Sequence, residues 1–110
     1  MIFDKAGTTT TVFQENTSIS VFVKNLTEAY PKLKHDNIIV NLFSFDTLSS
    51  NDLLEFLELS NTHKNNSKSF ILVTDKVGYD EVPEAISLVP TLQEANDIIE
   101  MEEIERDLGI

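Results

Sequence analysis

A buried strand that leads through a polar joint into a capped helix constrains this chain more than any other pattern. The nearly unbroken apolar run within residues 37–44 has the length of a strand that is covered on both faces of a sheet. The joint, residues 46–52, then offers Ser49 as a helix cap, with Asp52 three residues later. In α/β proteins such a joint lies at the carboxyl edge of the sheet, where ligands and partners bind. Function is therefore expected there.

Apolar spacing and turn residues place the other elements. They predict, in order, a hairpin of strands at 2–5 and 8–14, a helix at 19–33, the strand at 37–44, a helix that begins after the Ser49 cap and has its apolar face within 53–59, a polar surface loop at 61–68, a buried strand at 69–74 and a short strand at 87–89. The first helix is expected to end or bend near Pro31, because proline has no backbone N–H to donate. Strand, helix and strand in this order predict a right-handed parallel crossover.

The carboxyl-terminal third predicts a long acidic helix at 91–108. Thr91 and Glu94 have the spacing of a capping box, and Gly109 stops the helical pattern. Residues 80–110 hold ten acidic residues against one base, which gives them a net charge of −9, whereas residues 1–79 carry only −2. This third therefore dominates the charge of the chain.

Two interpretations of this helix stay open. In one, it only covers the sheet while its acidic residues face water. In the other, the part from Met101 onward projects past the domain and presents Met101, Ile104 and Leu108 as an apolar stripe framed by carboxylates. Such a stripe suits a groove on a basic protein partner, or a second copy of the chain in a homodimer.

Composition excludes several classes of function. A chain of 110 residues is sufficient for one core, and the lack of cysteine excludes disulfides, thiolate chemistry and Cys-type zinc sites. The net charge is −11 and Lys and Arg are not clustered, so nucleic acid and anionic membranes are not expected as direct partners. There is no signal segment and no apolar run approaching ~20 residues, which predicts a cytoplasmic protein.

The order of these elements resembles the STAS domain, the fold of anti-sigma-factor antagonists and of sulfate-transporter tails. The resemblance rests on the strand and joint within 40–57 and on the segment Val89-Pro90-Thr91-Leu92-Gln93-Glu94-Ala95, which is similar to the family's entry into its last helix. It implies one α/β domain over residues 1–110, with an amino-terminal hairpin and then a mostly parallel sheet flanked by helices. It also implies protein partners, and no catalytic site or cofactor.

In the antagonists, a partner kinase phosphorylates a serine in the joint. Laid over this sequence, Ser50 falls at that phospho-acceptor and Ser49 at the acidic residue before it. Asn51 and Asp52 stand where the family has a small residue and glycine. A phospho-switch at Ser50, or less directly at Ser49, is therefore an alternative to constitutive partner binding.

The close of the chain is also similar to short proteins labelled ribonuclease Z. That nuclease needs a His-x-His-x-Asp-His zinc motif, and His35 and His63 are the only histidines here. The similarity therefore implies at most an accessory protein that associates with a tRNA-processing nuclease.

Simpler interpretations compete with each candidate site. Helix capping alone explains a serine at position 49 or 50, and the carboxylates nearby would oppose a phosphate. A Ser-His-Asp hydrolase would combine Ser49 or Ser50 with His63 and with Asp46 or Asp75, but there is no glycine elbow. The acidic residues around the joint lack the spacing of a calcium loop, so no metal is expected.

The sequence thus predicts a non-catalytic STAS-like module that recognises a protein, whether a regulator, a kinase or a nuclease. Two contact surfaces are expected, one on the joint and the helix after it, and one on the acidic terminal helix. The candidate partner-binding residues are Asp46, Asp52, Glu55, Met101, Ile104 and Leu108.

Overall fold

Five strands and four helices make up the part of the chain that the structure describes. The computed structural model describes residues 1–109. The elements are β1 (Ile2–Ala6), β2 (Thr9–Phe13), α1 (Ile19–Leu33), β3 (Asn37–Asn41), α2 (Ser50–Leu54), α3 (Leu57–Asn65), β4 (Phe70–Val73), a single 3-10 turn (Tyr79–Glu81), β5 (Ser87–Val89) and α4 (Leu92–Asp107). The predicted hairpin, both buried strands, the short last strand and the terminal helix are confirmed.

The strands form one sheet in the order β1-β2-β3-β4-β5. β1 is antiparallel to β2, and all other neighbouring pairs are parallel. Ile39, at the centre of β3, is in register with Thr11 on one side and with Ile71 on the other. Because β2 to β5 run in the same direction, their carboxyl ends share one edge of the sheet and their amino ends the other.

The two faces of the sheet carry separate apolar cores. One face packs against α1, α2 and α3, and its largest fully buried side chains are Phe22, Leu26, Ile38, Leu53, Phe56 and Phe70. The other face packs against α4, and its core is smaller: Ile39, Ile71, Val73, Val89, Ala95 and Ile99. The alternation of side chains along β3 divides Ile38 and Val40 from Ile39, as expected for a strand buried on both faces.

The helix α1 does not end at Pro31. Ser18 caps its amino end by accepting a hydrogen bond from the Val21 amide, and the helix continues to Leu33. Pro31 lies in the last turn, where the buried side chain of Leu33 still packs against the core. Packing of this face therefore outweighs the hydrogen bond that proline cannot make.

The prediction of a surface loop at 61–68 was wrong for most of its length. The helical segment after the joint is divided at Glu55 and Phe56 into α2 and α3, and α3 extends to Asn65. Its buried face includes Leu59 but also Ser60 and His63. Because polar residues occupy helical core positions here, a count of apolar spacing does not detect the helix.

The terminal helix does not project free of the domain at Met101. Beyond Met101, the helix lies over the starts of β2, β3 and β4, and three of its side chains form hydrogen bonds there. The amino-edge network consists of Thr8, Asn37, Ser69, Glu102, Glu103 and Arg106. The predicted helix is therefore present, but Arg106 and the residues before it are held against the sheet.

Candidate functional site

The loop after β3 is fixed to its neighbours at the carboxyl edge of the sheet. The Leu42 amide donates to the Val73 backbone oxygen over 2.9 Å. The side-chain oxygen of Asn41 accepts from the Phe43 amide, which turns the chain away from the strand. The Ser44 hydroxyl donates to the Gln14 backbone oxygen over 2.7 Å, which ties the loop to the end of β2.

Two aromatic residues of this loop have different environments. The ring of Phe45 stacks on that of Phe22, with centroids 6.0 Å apart and planes 11° apart. The side chain of Phe43 is 45% exposed. The loop therefore packs one of its two rings on the core and leaves the other half in water.

Phe43 lies in an open depression between the ends of β2 and β3. This carboxyl-edge depression has a volume of about 430 Å³ and is lined by Phe13, Glu15, Asn16, Phe43, Ser44 and Asp46. Two of these residues are acidic and none is basic. The backbone of Asn16 has a φ of 55°, a left-handed conformation that asparagine tolerates better than most residues. The depression combines an apolar side chain with negative charge, which suits a basic and partly apolar partner.

The serines of the joint have different environments. The Ser49 hydroxyl accepts from the Asp52 amide, and the Asp52 carboxylate accepts from the Ser49 amide over 2.9 Å, which completes a capping box. Ser50 is the first residue of α2 and is half-buried. Within residues 1–109 its hydroxyl has no hydrogen-bond partner. Of the two serines, Ser49 is therefore the structural cap.

The three carboxylates predicted to bind a partner do not form one cluster. Asp46 lines the carboxyl-edge depression. Asp52 is engaged in the cap, and Glu55 accepts a hydrogen bond from the Ser20 hydroxyl over 2.8 Å. Only Asp46 is thus placed beside Phe43.

The predicted apolar stripe lies on the outer side of α4. Met101 is 54% exposed, Ile104 53% and Leu108 67%, whereas Ala95 and Ile99 on the opposite side of the helix are buried. The stripe belongs to the part of α4 that the amino-edge network holds. It therefore lies near the edge of the sheet opposite to the carboxyl-edge depression.

His63 was predicted to be a solvated loop residue, but it is fully buried on α3. Its Nε2 lies 2.7 Å from the Asp36 backbone oxygen, which can only accept, so Nε2 carries the proton. Its Nδ1 accepts from the Tyr30 hydroxyl over 2.7 Å, and that hydroxyl in turn accepts from the Asn66 side-chain amide. Burial lowers the pKa of His63, and the hydrogen bond to Asp36 only partly opposes this.

This position of His63 contradicts the hydrolase alternative. Asp36 precedes β3 at the amino edge of the sheet, while Ser49 and Ser50 follow the carboxyl edge. Both ring nitrogens of His63 have partners other than these serines. The Ser-His-Asp arrangement is therefore not assembled.

Sequence reasoning missed five residues of the depression: Phe13, Glu15, Asn16, Phe43 and Ser44. Parallel pairing of the two strands would have indicated the first three, since it brings the residues after β2 beside those after β3. No sequence signal indicates that Phe43 is exposed, because this residue continues the apolar run that precedes the joint.

Two further features of the described residues bear on function. No group of three or more His, Asp or Glu side chains within 1–109 is arranged to hold a metal ion. In the same part of the chain, no helix has both the length and the apolar character needed to cross a membrane.

Comparison with known proteins gives a structural match but no sequence match. No family model matches the chain, and no curated protein matches it. Among solved structures, the chain is similar to a Moorella thermoacetica RsbS variant with a serine-to-glutamate substitution. The TM-score is 0.65 at 12% sequence identity, and the match covers 90% of this chain and 93% of that one. RsbS is a STAS-domain protein, and this chain therefore has the STAS-like α/β fold that its order of elements predicts.

Proposed function

We propose that the chain is a non-catalytic, STAS-type regulatory module that recognises a basic protein partner through its carboxyl-edge depression. The observation that carries this proposal is the exposure of Phe43 in a depression that Glu15 and Asp46 also line. Aromatic residues are enriched in protein contacts, and burial of this ring against a partner would remove apolar surface from water.

The outer side of α4 is proposed as a second contact surface. Met101, Ile104 and Leu108 expose three apolar side chains on a helix rich in carboxylates. Because the amino-edge network holds this helix, the stripe is presented without the loss of conformational entropy that a free extension would incur on binding. A second copy of the chain is the alternative occupant, and sedimentation velocity at increasing concentration would detect it.

The phospho-switch is kept as a second candidate function because of the Ser50 environment. Its hydroxyl is not used by the cap, whereas that of Ser49 is. Asp52 and Glu55 lie close in the chain and oppose a second negative charge. Incubation with kinases of the native cell should add one phosphate that Ser50→Ala abolishes; phosphate on another residue would contradict this candidate.

The test of the main proposal is affinity capture with the full-length chain and two surface variants. Phe43→Ser should capture much less of the partner, while Tyr79→Ser, which removes an even more exposed aromatic residue elsewhere, should capture as much as the unchanged chain. Met101→Ser with Ile104→Ser tests the second surface without removing Glu102, Glu103 or Arg106, as a truncation would. Recovery of a nuclease in these captures would support the accessory role predicted from the sequence, and equal recovery of every protein by all variants would refute both surfaces.

A further inference from the structure

A groove between α1 and α3 has the properties of a small-molecule site. It has a volume of about 310 Å³, and its walls are mostly apolar, with Val23, Tyr30 and Pro31 contributed by α1 and Leu59 by α3. Ligand sites in proteins enclose roughly 300–1,000 Å³, so this groove suits a compact ligand. It lies on the helical face of the sheet, apart from both surfaces proposed above for a protein partner.

Two hydrogen bonds connect α1 to the residues just before and just after α3, and each involves one residue that lines the groove. Near the start of α1, the Ser20 hydroxyl donates to Glu55 over 2.8 Å. Near the end of α1, the Asn66 amide donates to the Tyr30 hydroxyl over 3.1 Å. An amphipathic helix of a partner needs an open trough along which successive turns can lie. With Glu55 and Tyr30 held by these bonds and a volume of about 310 Å³, the groove instead suits a single small molecule.

The charge of the groove is negative and uncompensated. Glu55 and Glu58 both line it, and no basic residue does. In the part of the chain that the structure describes, the single ion pair joins Lys5 and Asp36, so neither glutamate has a cationic partner. Lys64, the nearest base along α3, instead donates to Ala85 and Ser87 beside β5.

We propose that the α1–α3 groove binds a small organic cation with an apolar body, such as an arylalkylamine. The apolar body packs against Tyr30 and Leu59, and the ammonium group pairs with Glu55 and Glu58. Glu55 can do this while it accepts from Ser20, because an ionised carboxylate has a second oxygen free. Since Tyr30 also donates to His63, a ligand against its ring contacts a side chain that joins the two helices.

Tyrosine fluorescence tests this proposal directly, because Tyr30 and Tyr79 are the only tyrosines and there is no tryptophan. In a Tyr79→Phe parent, Tyr30 is the sole emitter, and Tyr79 is 79% exposed, so its replacement leaves the fold intact. Titration with 2-phenylethylamine should change the emission in a saturable way. The neutral 2-phenylethanol should bind at least about fivefold more weakly, and the anionic phenylacetate more weakly still.

Matched double variants separate a specific site from general attraction to an acidic protein. Glu55→Gln with Glu58→Gln should weaken binding of the amine at least about fivefold and leave binding of the alcohol unchanged. The control variant, Glu100→Gln with Glu105→Gln on α4, changes the net charge by the same amount, from −11 to −9. It should alter neither the binding of the amine nor that of the alcohol. Thr62→Phe, which fills the groove from an exposed position on α3, should abolish binding of both ligands.

The proposal is overturned if no saturable change occurs, if amine and alcohol bind equally, or if both double variants weaken the amine equally. Amide chemical shifts that move on another surface would also overturn it. If the double variant at Glu55 and Glu58 fails to fold, Glu58→Gln alone serves, because the structure gives its carboxylate no partner. These outcomes do not depend on the protein partner, so the proposed regulatory function can fail or stand independently.

Discussion

The Tyr30 hydroxyl donates to Nδ1 of His63 over 2.7 Å, and this bond joins α1 to α3 inside the core. The other ring nitrogen of His63 donates to the Asp36 backbone oxygen, so in the neutral imidazole Nδ1 is the acceptor for Tyr30. Protonation of Nδ1 would remove this acceptor and place a positive charge in the core. The arrangement therefore links stability to pH.

We expect the free energy of unfolding to decrease as the pH falls below about 6.5, the ordinary pKa of histidine. Burial lowers the pKa of His63 in the folded chain, so the unfolded chain binds the proton first. This contribution to stability is complete above pH 6.5 and is lost as the pH falls toward the lowered pKa. Urea unfolding between pH 5 and 8 measures it.

His63→Gln provides the control for this pH dependence. The substitution should cost about 2 kcal/mol at pH 7.5, because glutamine does not satisfy both buried partners. The substitution should also make the free energy of unfolding less dependent on pH between pH 5 and 6.5. An unchanged slope in this variant would assign the pH dependence to other groups.

The two serines of the joint should differ in their effect on stability. Ser49→Ala removes the hydroxyl that accepts from the Asp52 amide, and we expect a loss of about 1 kcal/mol in the free energy of unfolding. Ser50→Ala removes no hydrogen bond seen in residues 1–109 and should change it by less than about 0.5 kcal/mol. Chemical denaturation of both variants decides the matter; a larger effect at Ser50 would show that the cap is misassigned.

A substitution at Phe43 should affect partner binding, whereas one at Phe45 should affect stability. Phe43→Ser should weaken partner binding about tenfold and leave the free energy of unfolding almost unchanged, because its side chain is half in water. Phe45→Ala should instead cost about 2 kcal/mol, since the ring stacks on the buried Phe22. Thermal unfolding and a binding titration of each variant give the comparison. A destabilised Phe43→Ser would indicate that this ring supports the loop.

Arg106 should control the order of the last turns of α4. Its guanidinium donates to the Ser69 hydroxyl and to the Asn37 side-chain oxygen, both over 3.3 Å. Arg106→Ala should reduce the free energy of unfolding by about 1 kcal/mol and speed amide hydrogen exchange after Met101. Glu105→Ala, an exposed neighbour, is the matched control. Equal exchange in the two variants would mean that the apolar core alone holds the helix.

The order of the elements was predictable because each has a strong local signal. Unbroken apolar runs marked β3 and β4, and the Ser49 and Thr91 caps marked the helices that follow β3 and β5. Local signals fail where burial depends on distant partners. His63 is buried because Tyr30 and Asp36, 33 and 27 residues away, satisfy its nitrogens, and no short window of sequence contains that information.

The candidate site was predictable only in part, for a related reason. The position of the joint follows from the strand before it, whereas the depression also needs residues from the end of β2, about 30 residues earlier along the chain, as the contact from Ser44 to Gln14 illustrates. The sequence left open whether the end of α4 projects past the domain, because its last turns form an acidic stretch without a partner nearby in the chain. Their partners Thr8, Asn37 and Ser69 come from three separate parts of the chain.

The position of α4 also has a consequence for synthesis. All five strands precede this helix in the chain, so Ile39, Ile71, Val73 and Val89 form an apolar surface on the nascent protein until α4 leaves the ribosome. A partly made chain is thus exposed to aggregation for as long as the last helix takes to emerge. Ribosome-bound chains that end before Leu92 should accordingly recruit chaperones that release once α4 has been added.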